Sequence, residues 1–383
     1  MSLKKNMATK RILSIDILRG LVIVLMLVDH VRERFFYHHP ITDPLDLDNT
    51  ETQLFFTRLT AHFCAPIFVF LTGLSACLYQ NPPNKPKRNV RSFLLKRGLF
   101  LVLLEVTLIN FSWFGNYKTL YLQVIWAIGI SMISLSAMVK INRYIIAGLG
   151  LLIVFGHNLL TDIHVNPDNF FYYIWTILHD RGYLLQTDWL SIKASYPVLP
   201  WIGVILLGYF SGAIYGKSVA PKTRYKYLLG TSCSLLVLLL ILRGFNIYGE
   251  TLDWQNYDSP LKSIMSFLNY TKYPPSLDFL LFTLGIGSIL LFVFERFEKK
   301  WMLVLKTFGS VPMFFYVVHL YILLASYKIL VLFFGTNKGD YFGVDNVATI
   351  WLIAITLACL LYWPTKLFGN YKRASNAKWI KYF

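Results

Sequence analysis

The stretch LSIDILRGLVIVLMLVDH, residues 13–30, is an apolar run of membrane-spanning length that also carries Asp16, Arg19, Asp29 and His30. A helix needs about 20 apolar residues to cross the hydrocarbon core of a bilayer. Runs of this kind recur along the whole 383-residue chain. The stretch therefore predicts the first helix of a membrane-embedded bundle that holds ionisable groups in its interior.

The composition agrees with a membrane protein. Hydrophobic residues make up 56% of the chain and charged residues only 15%, whereas soluble domains carry about 25% charged residues. The net charge is +17, but the basic residues form short clusters between apolar runs, as loop charges of membrane proteins do. We expect an all-α, polytopic helical bundle that forms a single domain over residues 1–383 and has no nucleic-acid partner.

Ten apolar runs predict about ten transmembrane helices. They are 12–31, 54–79, 92–112, 119–138, 144–160, 197–215, 226–243, 276–295, 303–334 and 347–367. If the N-terminus is inside, the inner segments hold 25 Lys and Arg residues and the outer segments hold 10. This bias predicts that both termini are cytoplasmic and that the protein spans the inner (plasma) membrane several times. The ninth run, 303–334, is long enough to tilt or break.

The charges of the first run form a stripe. At about 100° per residue, Arg19 lies about 20° from His30, and Asp16 lies about 40° away on the other side. Because ionisable side chains inside a membrane usually mark functional sites, the stripe predicts an interior cavity that runs about 16 Å from Arg19 to His30. Alternatively, Asp16 and Arg19 form a neutralising pair and His30 is a packing residue. Asp29 points away from the stripe unless the helix bends.

The second run, read as TRLTAHFCAPIFVFLTG over 57–73, places Arg58 and His62 four residues apart. Pro66 follows four residues after His62 and predicts a kink beside this polar site, since proline has no backbone donor. His62 lies at a depth close to that of His30, so the two imidazoles can share a site. We expect no metal there, because the sequence places no third ligand.

Two more intramembrane groups and one basic cluster complete the candidates. Asp16, Arg58, Glu105 and His319 are the predicted substrate-binding residues, although His319 in FFYVVHLY fits a packing role equally well. The densest cytoplasmic cluster consists of Lys85, Lys87, Arg88, Arg91, Lys96 and Arg97. It either follows the positive-inside rule or supplies counter-charges for a phosphate-bearing ligand.

The stretches RILSIDILRGLVIVLMLVDH (11–30) and FFTRLTAHFCAPIFVFLTG (55–73) resemble the membrane acyltransferases related to heparan-α-glucosaminide N-acetyltransferase, and especially their bacterial relatives. Further similar stretches are LQVIWAIGISMI (122–133), YPVLPWIGVILLGYFSG (196–212), YPPSLDFLLFTLG (273–285) and FGSVPMFFYVVHLY (308–321). The first helix also fits the Arg-x10-His pattern of the wider type-3 membrane acyltransferases, with Arg19 and His30. The animal lysosomal enzyme has Asn and Asp in place of His30 and His62, and its catalytic His lies in the next luminal loop, where this chain has His38 and His39.

The resemblance implies transfer of an acyl group, usually acetyl, from cytosolic acyl-CoA to a hydroxyl or amine of an extracytoplasmic, sugar-containing acceptor. His30 would then be the general base, with His62 as its partner or as an alternative base, and Asp29 would orient one of them. The expected acyl-CoA-binding residues are Arg19, Arg88, Arg91, Lys96 and Arg97. Direct transfer and a covalent acyl-histidine route both stay open, as does homo-oligomerisation.

Two other functions fit the same residues. A proton-coupled transporter or lipid-handling protein would use the intramembrane His and Asp residues as a proton relay and would have no affinity for acyl-CoA. A non-catalytic membrane partner would tolerate substitution of Asp16, Arg19, His30 and His62.

Overall fold

The computed structural model describes residues 12–83, 85–297, 299–377 and 379–382. These residues form mostly helices. In chain order they are α1 (Leu13–Phe35), α2 (Thr52–Ala61), α3 (Cys64–Gln80), α4 (Val90–Leu104), α5 (Asn110–Phe114), α6 (Val124–Met138), α7 (Arg143–Gly156), α8 (Phe171–Leu178), α9 (Leu199–Ser211), α10 (Pro221–Gly244), α11 (Pro260–Phe267), α12 (Leu277–Arg296), α13 (Met302–Ser310), α14 (Pro312–Phe334) and α15 (Val347–Ala374). A π-helical turn, Glu105–Ile109, joins α4 to α5, and 3-10 turns occupy His157–Leu160, Gly212–Tyr215 and Trp379–Tyr382.

A small sheet accompanies the helices and was not predicted. Its strands are β1 (Thr119–Leu122), β2 (Gly182–Gln186) and β3 (Ser191–Ala194), in the order β1-β3-β2. β3 pairs in parallel with β1 and antiparallel with β2. The expectation of an all-α chain is therefore correct for the bundle and incomplete for the segments that connect its helices.

Six helices of the described chain are long and apolar enough to cross a membrane. They span Thr52–Gln80, Arg143–Leu160, Pro221–Gly244, Leu277–Arg296, Pro312–Phe334 and Val347–Ala374, and Val124–Met138 and Leu199–Tyr215 are shorter apolar helices. A multi-pass membrane protein follows from them. The count of ten spans and the cytoplasmic termini stay predictions, and the basic residues Lys4, Lys5, Lys10 and Arg11 lie outside the described residues.

Two helical runs are interrupted, one where a kink is predicted beside Pro66 and one where the sequence allows either a tilt or a break. The span Thr52–Gln80 is interrupted between Ala61 and Cys64, because Pro66 offers no N–H to the carbonyl of His62. The ninth run breaks at Val311, which separates α13 from α14. Of the two options for that long run, the structure has the break.

The fourth run, 119–138, is only partly helical, so its predicted boundary was wrong. Its first residues form β1. The side chain of Asn110 pairs with the edge of this strand, accepting from Tyr121 N at 2.6 Å and donating to Tyr121 O at 3.0 Å. Hydrogen bonds to an asparagine eleven residues earlier thus hold an apolar segment in an extended conformation.

α1 lies in the interior, in contact with α2, α3, α12, α13, α14 and α15. Its closest approach is to α13, where a Cβ on Gly20 would lie 1.8 Å from the Leu305 carbonyl oxygen. On the other side of the crossing, a Cβ on Gly309 would lie 1.8 Å from Asp16 O. Only glycine permits this approach of two backbones, and it fixes the charged helix within the bundle.

Large apolar side chains occupy both the core and the outer surface. Trp201, Phe279 and Phe315 are fully buried, whereas Leu332 and Phe333 near the end of α14 are 79% and 75% exposed. An apolar exterior around a packed interior is the arrangement that lipid requires, because the hydrocarbon core solvates apolar groups and excludes polar ones. The ionisable groups of α1 face inward instead.

Candidate active site

A cavity of about 310 Å³ lies along α1 inside the bundle. Arg19 lines it, and so does His30 eleven residues later, which is about 16 Å further along a straight helix. Residues of α3, α4, α6, α13, α14 and α15 also line it. Arg19 and His30, two members of the predicted stripe, thus line one continuous cavity.

The end of the cavity near Arg19 is basic. Arg97, in the middle of α4, and Lys372, near the end of α15, line the cavity as well. Arg97 lies over the ring of Phe93, which stacks on Tyr79 of α3, one turn after Ser75. Arg19 donates a hydrogen bond to the hydroxyl of Ser75, and its Nη1 lies 3.4 Å from Asp16 Oδ1. Guanidinium and ammonium groups such as these are able to bind phosphate oxygens.

Apolar side chains separate the basic end from His30. The cavity wall between them includes Met26 of α1, Phe68 of α3, Ile128 of α6 and Met313 of α14. An apolar wall does not bind water well. This middle section, the throat of the cavity, suits an uncharged chain that has to pass between two polar ends.

At the other end, His30 is hydrogen-bonded to His319 of α14. His30 Nδ1 lies 2.7 Å from His319 Nε2, and His319 Nδ1 lies 2.7 Å from the carbonyl oxygen of Phe315. A carbonyl only accepts, so His319 Nδ1 carries a proton. In neutral His319 the Nε2 atom is then an acceptor, and the Nδ1–H of His30 donates to it.

This chain of hydrogen bonds assigns the tautomer of His30. With its proton on Nδ1, the neutral imidazole has its lone pair on Nε2. Aromatic rings hold the imidazole in place, since Trp113 and Tyr316 contact it edge-on with ring centroids 5.0 and 5.7 Å away. His30 is therefore a fixed imidazole on the cavity wall with one nitrogen able to accept a proton.

Asp29 shares this end of the cavity but does not orient a histidine. Its Oδ1 lies 2.9 Å from Arg32 and its Oδ2 lies 3.2 Å from Arg58. Asp29 is expected to orient one of the two histidines, whereas among the described residues its carboxylate accepts hydrogen bonds from Arg32 and Arg58. A buried carboxylate requires such charged partners. Arg58, a predicted substrate-binding residue, accordingly serves Asp29 and is not among the described residues that line the cavity.

His62 is not the partner of His30. It is buried against Phe279, with ring centroids 5.1 Å apart, and its Nδ1 has no hydrogen-bond partner in the described chain. His62 lies at the interruption between α2 and α3, so the straight-helix geometry behind the prediction of one shared depth does not apply to it. The partner of His30 is His319, which belongs to a helix far along the chain. Residue spacing within one apolar run cannot predict such a contact.

Glu105 and Asp16 support the bundle rather than the cavity wall. Glu105 is fully buried, and its Oε2 accepts a hydrogen bond from Trp126 N at 3.0 Å, at the beginning of α6. A carboxylate at a helix N-terminus stabilises the exposed N–H groups there. Asp16 forms an ion pair with Arg19. Neither Asp16 nor Glu105 is among the cavity-lining residues that the structure describes.

Arg97 is the one described member of the predicted cluster 85–97 that lines the cavity. Arg88, Arg91 and Lys96 are exposed, and Arg88 lies over the ring of Tyr79 at 5.2 Å. The loop histidines stay apart as well, since His39 stacks on Phe36 and His38 lies beside it.

Sequence reasoning missed Lys272 and Tyr196, which both line the cavity near His30. The hydroxyl oxygens of Tyr196 and Tyr273 lie 2.9 Å apart, and Lys272 directly precedes Tyr273 in the chain. The sequence signal for Lys272 is its position directly before the stretch YPPSLDF. In the charge count above, the lysine contributes only as one of the basic residues of an outer segment.

The comparisons with known proteins identify the family. No curated protein matches the chain. A family model described as heparan-alpha-glucosaminide N-acetyltransferase, catalytic, matches residues 11–244, which is more than half of the chain and includes α1 with Arg19 and His30. The chain therefore belongs to the heparan-alpha-glucosaminide N-acetyltransferase-like family of membrane proteins.

Proposed function

We propose that this protein transfers an acyl group, in the first instance acetyl, from acyl-CoA bound at the basic end of the cavity to a hydroxyl or amine at the end that holds His30. The observation that carries the proposal is the continuity of that cavity, which joins Arg19, Arg97 and Lys372 to His30. The family supports a membrane acetyltransferase.

The two polar ends fit the two parts of the donor. Arg19, Arg97 and Lys372 would face the phosphates of CoA, because guanidinium and ammonium groups bind phosphate oxygens. The uncharged pantetheine arm would extend through the throat past Met26. In this arrangement the thioester reaches His30, and the apolar wall protects it from water.

The chemistry needs one base. The acceptor oxygen or nitrogen attacks the thioester carbonyl carbon while its proton moves to Nε2 of His30. The tetrahedral intermediate then collapses, the carbon–sulfur bond breaks, and the His30 imidazolium gives its proton to the departing CoA thiolate. His319 keeps the base in the correct tautomer throughout, as its Nε2 accepts from His30 Nδ1.

The family resemblance also gives the cellular setting of this proposal. The donor would come from the cytoplasm and the acceptor, a sugar-containing molecule, from outside the inner membrane. A single domain over residues 1–383 would contain both the acyl-CoA site and the acceptor site, because one cluster of cations is enough to bind the donor.

Substitution of His30 tests the proposal. Purified protein in detergent is mixed with acetyl-CoA and hydroxylamine, a small neutral acceptor, and released CoA thiol is measured. His30→Ala should lower kcat about 10²- to 10⁴-fold, the contribution of a general base, and leave the Kd for acetyl-CoA unchanged. His62→Ala is the matched control and should retain activity. Equal turnover in wild type and His30→Ala removes His30 from the mechanism.

The hydrogen-bonded pair His30–His319 also favours a second function, a proton-coupled transporter, because two linked imidazoles can pass a proton. Such a transporter moves its substrate in a pH-dependent way and does not bind acetyl-CoA. Isothermal titration with acetyl-CoA therefore separates the two functions.

A further inference from the structure

Lys272 presents its ammonium group to the same end of the cavity as His30. The residue is 3% exposed and lines the cavity. Its Nζ lies 3.8 Å from Asp29 Oδ2 and 5.2 Å from the centre of the Tyr273 ring. Within the described ranges Nζ donates no hydrogen bond, and its ion pair with Asp29 is a long one. A buried ammonium has three N–H donors, so these donors are available to a ligand in the cavity.

Lys272 is the most distant of three cations that pair with Asp29. The carboxylate already has Arg32 at 2.9 Å and Arg58 at 3.2 Å, both closer than Lys272. A contact of 3.8 Å exceeds the length of a hydrogen bond. Lys272 and Asp29 both line the cavity, so an ammonium group with one long ion pair lies beside the space that a ligand would occupy.

The backbone around Lys272 is held on both sides. Lys272 N donates to the carboxylate oxygens of Asp43 at 3.1 and 3.2 Å. The preceding Thr271 donates from its N–H to Glu250 at 3.0 Å. Asn269 exchanges two hydrogen bonds with the backbone of Leu45, at 2.8 and 2.9 Å. The segment is thus fixed before any ligand binds, which is the preorganisation that electrostatic catalysis requires.

We propose that Lys272 is a catalytic residue that stabilises the oxyanion formed during acyl transfer. This inference rests on the proposed function. As the acceptor adds to the thioester carbon, the electron pair of the C=O bond moves onto oxygen, and the Lys272 ammonium donates a hydrogen bond to that oxygen. When the carbon–sulfur bond breaks, the electron pair returns and the contact weakens. His30 moves the proton and Lys272 binds the charge.

A different role for the same cation is recognition of an acidic group on the acceptor. The two roles separate when the acceptor carries no charge. Hydroxylamine is neutral, so loss of an acid-binding lysine would leave its acetylation intact, whereas loss of an oxyanion-binding lysine would impair it.

The experiment compares Lys272→Met with wild type in detergent, using acetyl-CoA and hydroxylamine. We expect kcat to fall about 10²- to 10³-fold, the effect of removing one oxyanion donor, with an unchanged Kd for acetyl-CoA. Lys262→Met is the matched control, because Lys262 pairs with Asp48 on an outer loop and is not among the residues lining the cavity. It should retain the wild-type kcat.

Wild-type kcat in Lys272→Met, or a change in KM alone, would overturn the inference. If that variant no longer binds acetyl-CoA and so has lost its fold, Lys272→Arg and Lys272→Gln decide: arginine must keep more turnover than glutamine, and equal turnover contradicts an electrostatic role. If wild type itself neither binds acetyl-CoA nor releases thiol, the proposed function fails and the inference with it. An active wild type with an equally active Lys272→Met refutes the inference alone.

Discussion

The contact between His30 and His319 joins residues 289 positions apart, and it supports the proposal that His30 is the base. The sequence correctly places Arg19 and His30 on one face, because helical periodicity determines directions within a single helix. It cannot pair α1 with α14, since no spacing rule reaches across a bundle. For this reason His62 was predicted as the partner, and Lys272 was missed.

Replacement of His319 tests the tautomer at this scale. His319→Ala removes the acceptor for His30 Nδ1–H, so the proton can shift to Nε2 and the base is lost for part of the time. We expect kcat to fall at least about tenfold and by no more than loss of the base itself, about 10²- to 10⁴-fold. His319→Gln, whose amide oxygen can accept from Nδ1, should recover part of the activity. Equal activity in both variants would show that His319 does not position His30.

At the scale of elements, the sequence predicts helices well and connections poorly. Apolar runs reveal helices because burial in lipid demands them. The break near Pro66 was also predictable, since it follows from a missing backbone donor. The sheet of β1, β2 and β3 depends on distant partners, such as Thr119 of β1 and Ser191 of β3, and such long-range pairs leave no periodic pattern.

The crossing of α1 and α13 offers a test of an element contact. A methyl group on Gly20 would overlap the Leu305 carbonyl oxygen, at 1.8 Å from it, so the two helices must separate. We expect Gly20→Ala to lower stability by about 1–3 kcal/mol, as overpacking does, measured by thermal unfolding in detergent.

Gly230→Ala in α10 is the matched control for this crossing. Nothing lies within 4 Å of its added Cβ, and alanine favours a helix over glycine by about 0.5–1 kcal/mol. The control should unfold at or above the wild-type temperature. Equal unfolding temperatures for the two variants would mean that α1 and α13 do not touch as described.

For the molecule as a whole, the proposed function depends on one passage from the basic end to His30. Met26 lies on α1 between them, seven residues after Arg19 and hence within about 20° of its direction, and it lines the throat. Met26→Trp should fill this passage and stop acetyl transfer to hydroxylamine. The nucleotide part of CoA, 3′-phosphoadenosine 5′-diphosphate, should still bind, because the phosphate-facing cations lie on the near side of the block.

Met26→Leu, which conserves volume, serves as the control and should keep most of the turnover, since such swaps cost less than about 1.5 kcal/mol in stability. Binding of the nucleotide to Met26→Trp reports that the basic end is still folded, and calorimetry measures it independently of chemistry. If Met26→Trp transfers acetyl at the wild-type rate, the thioester reaches its acceptor by another route, and the residues gathered around His30 are not where acyl transfer occurs.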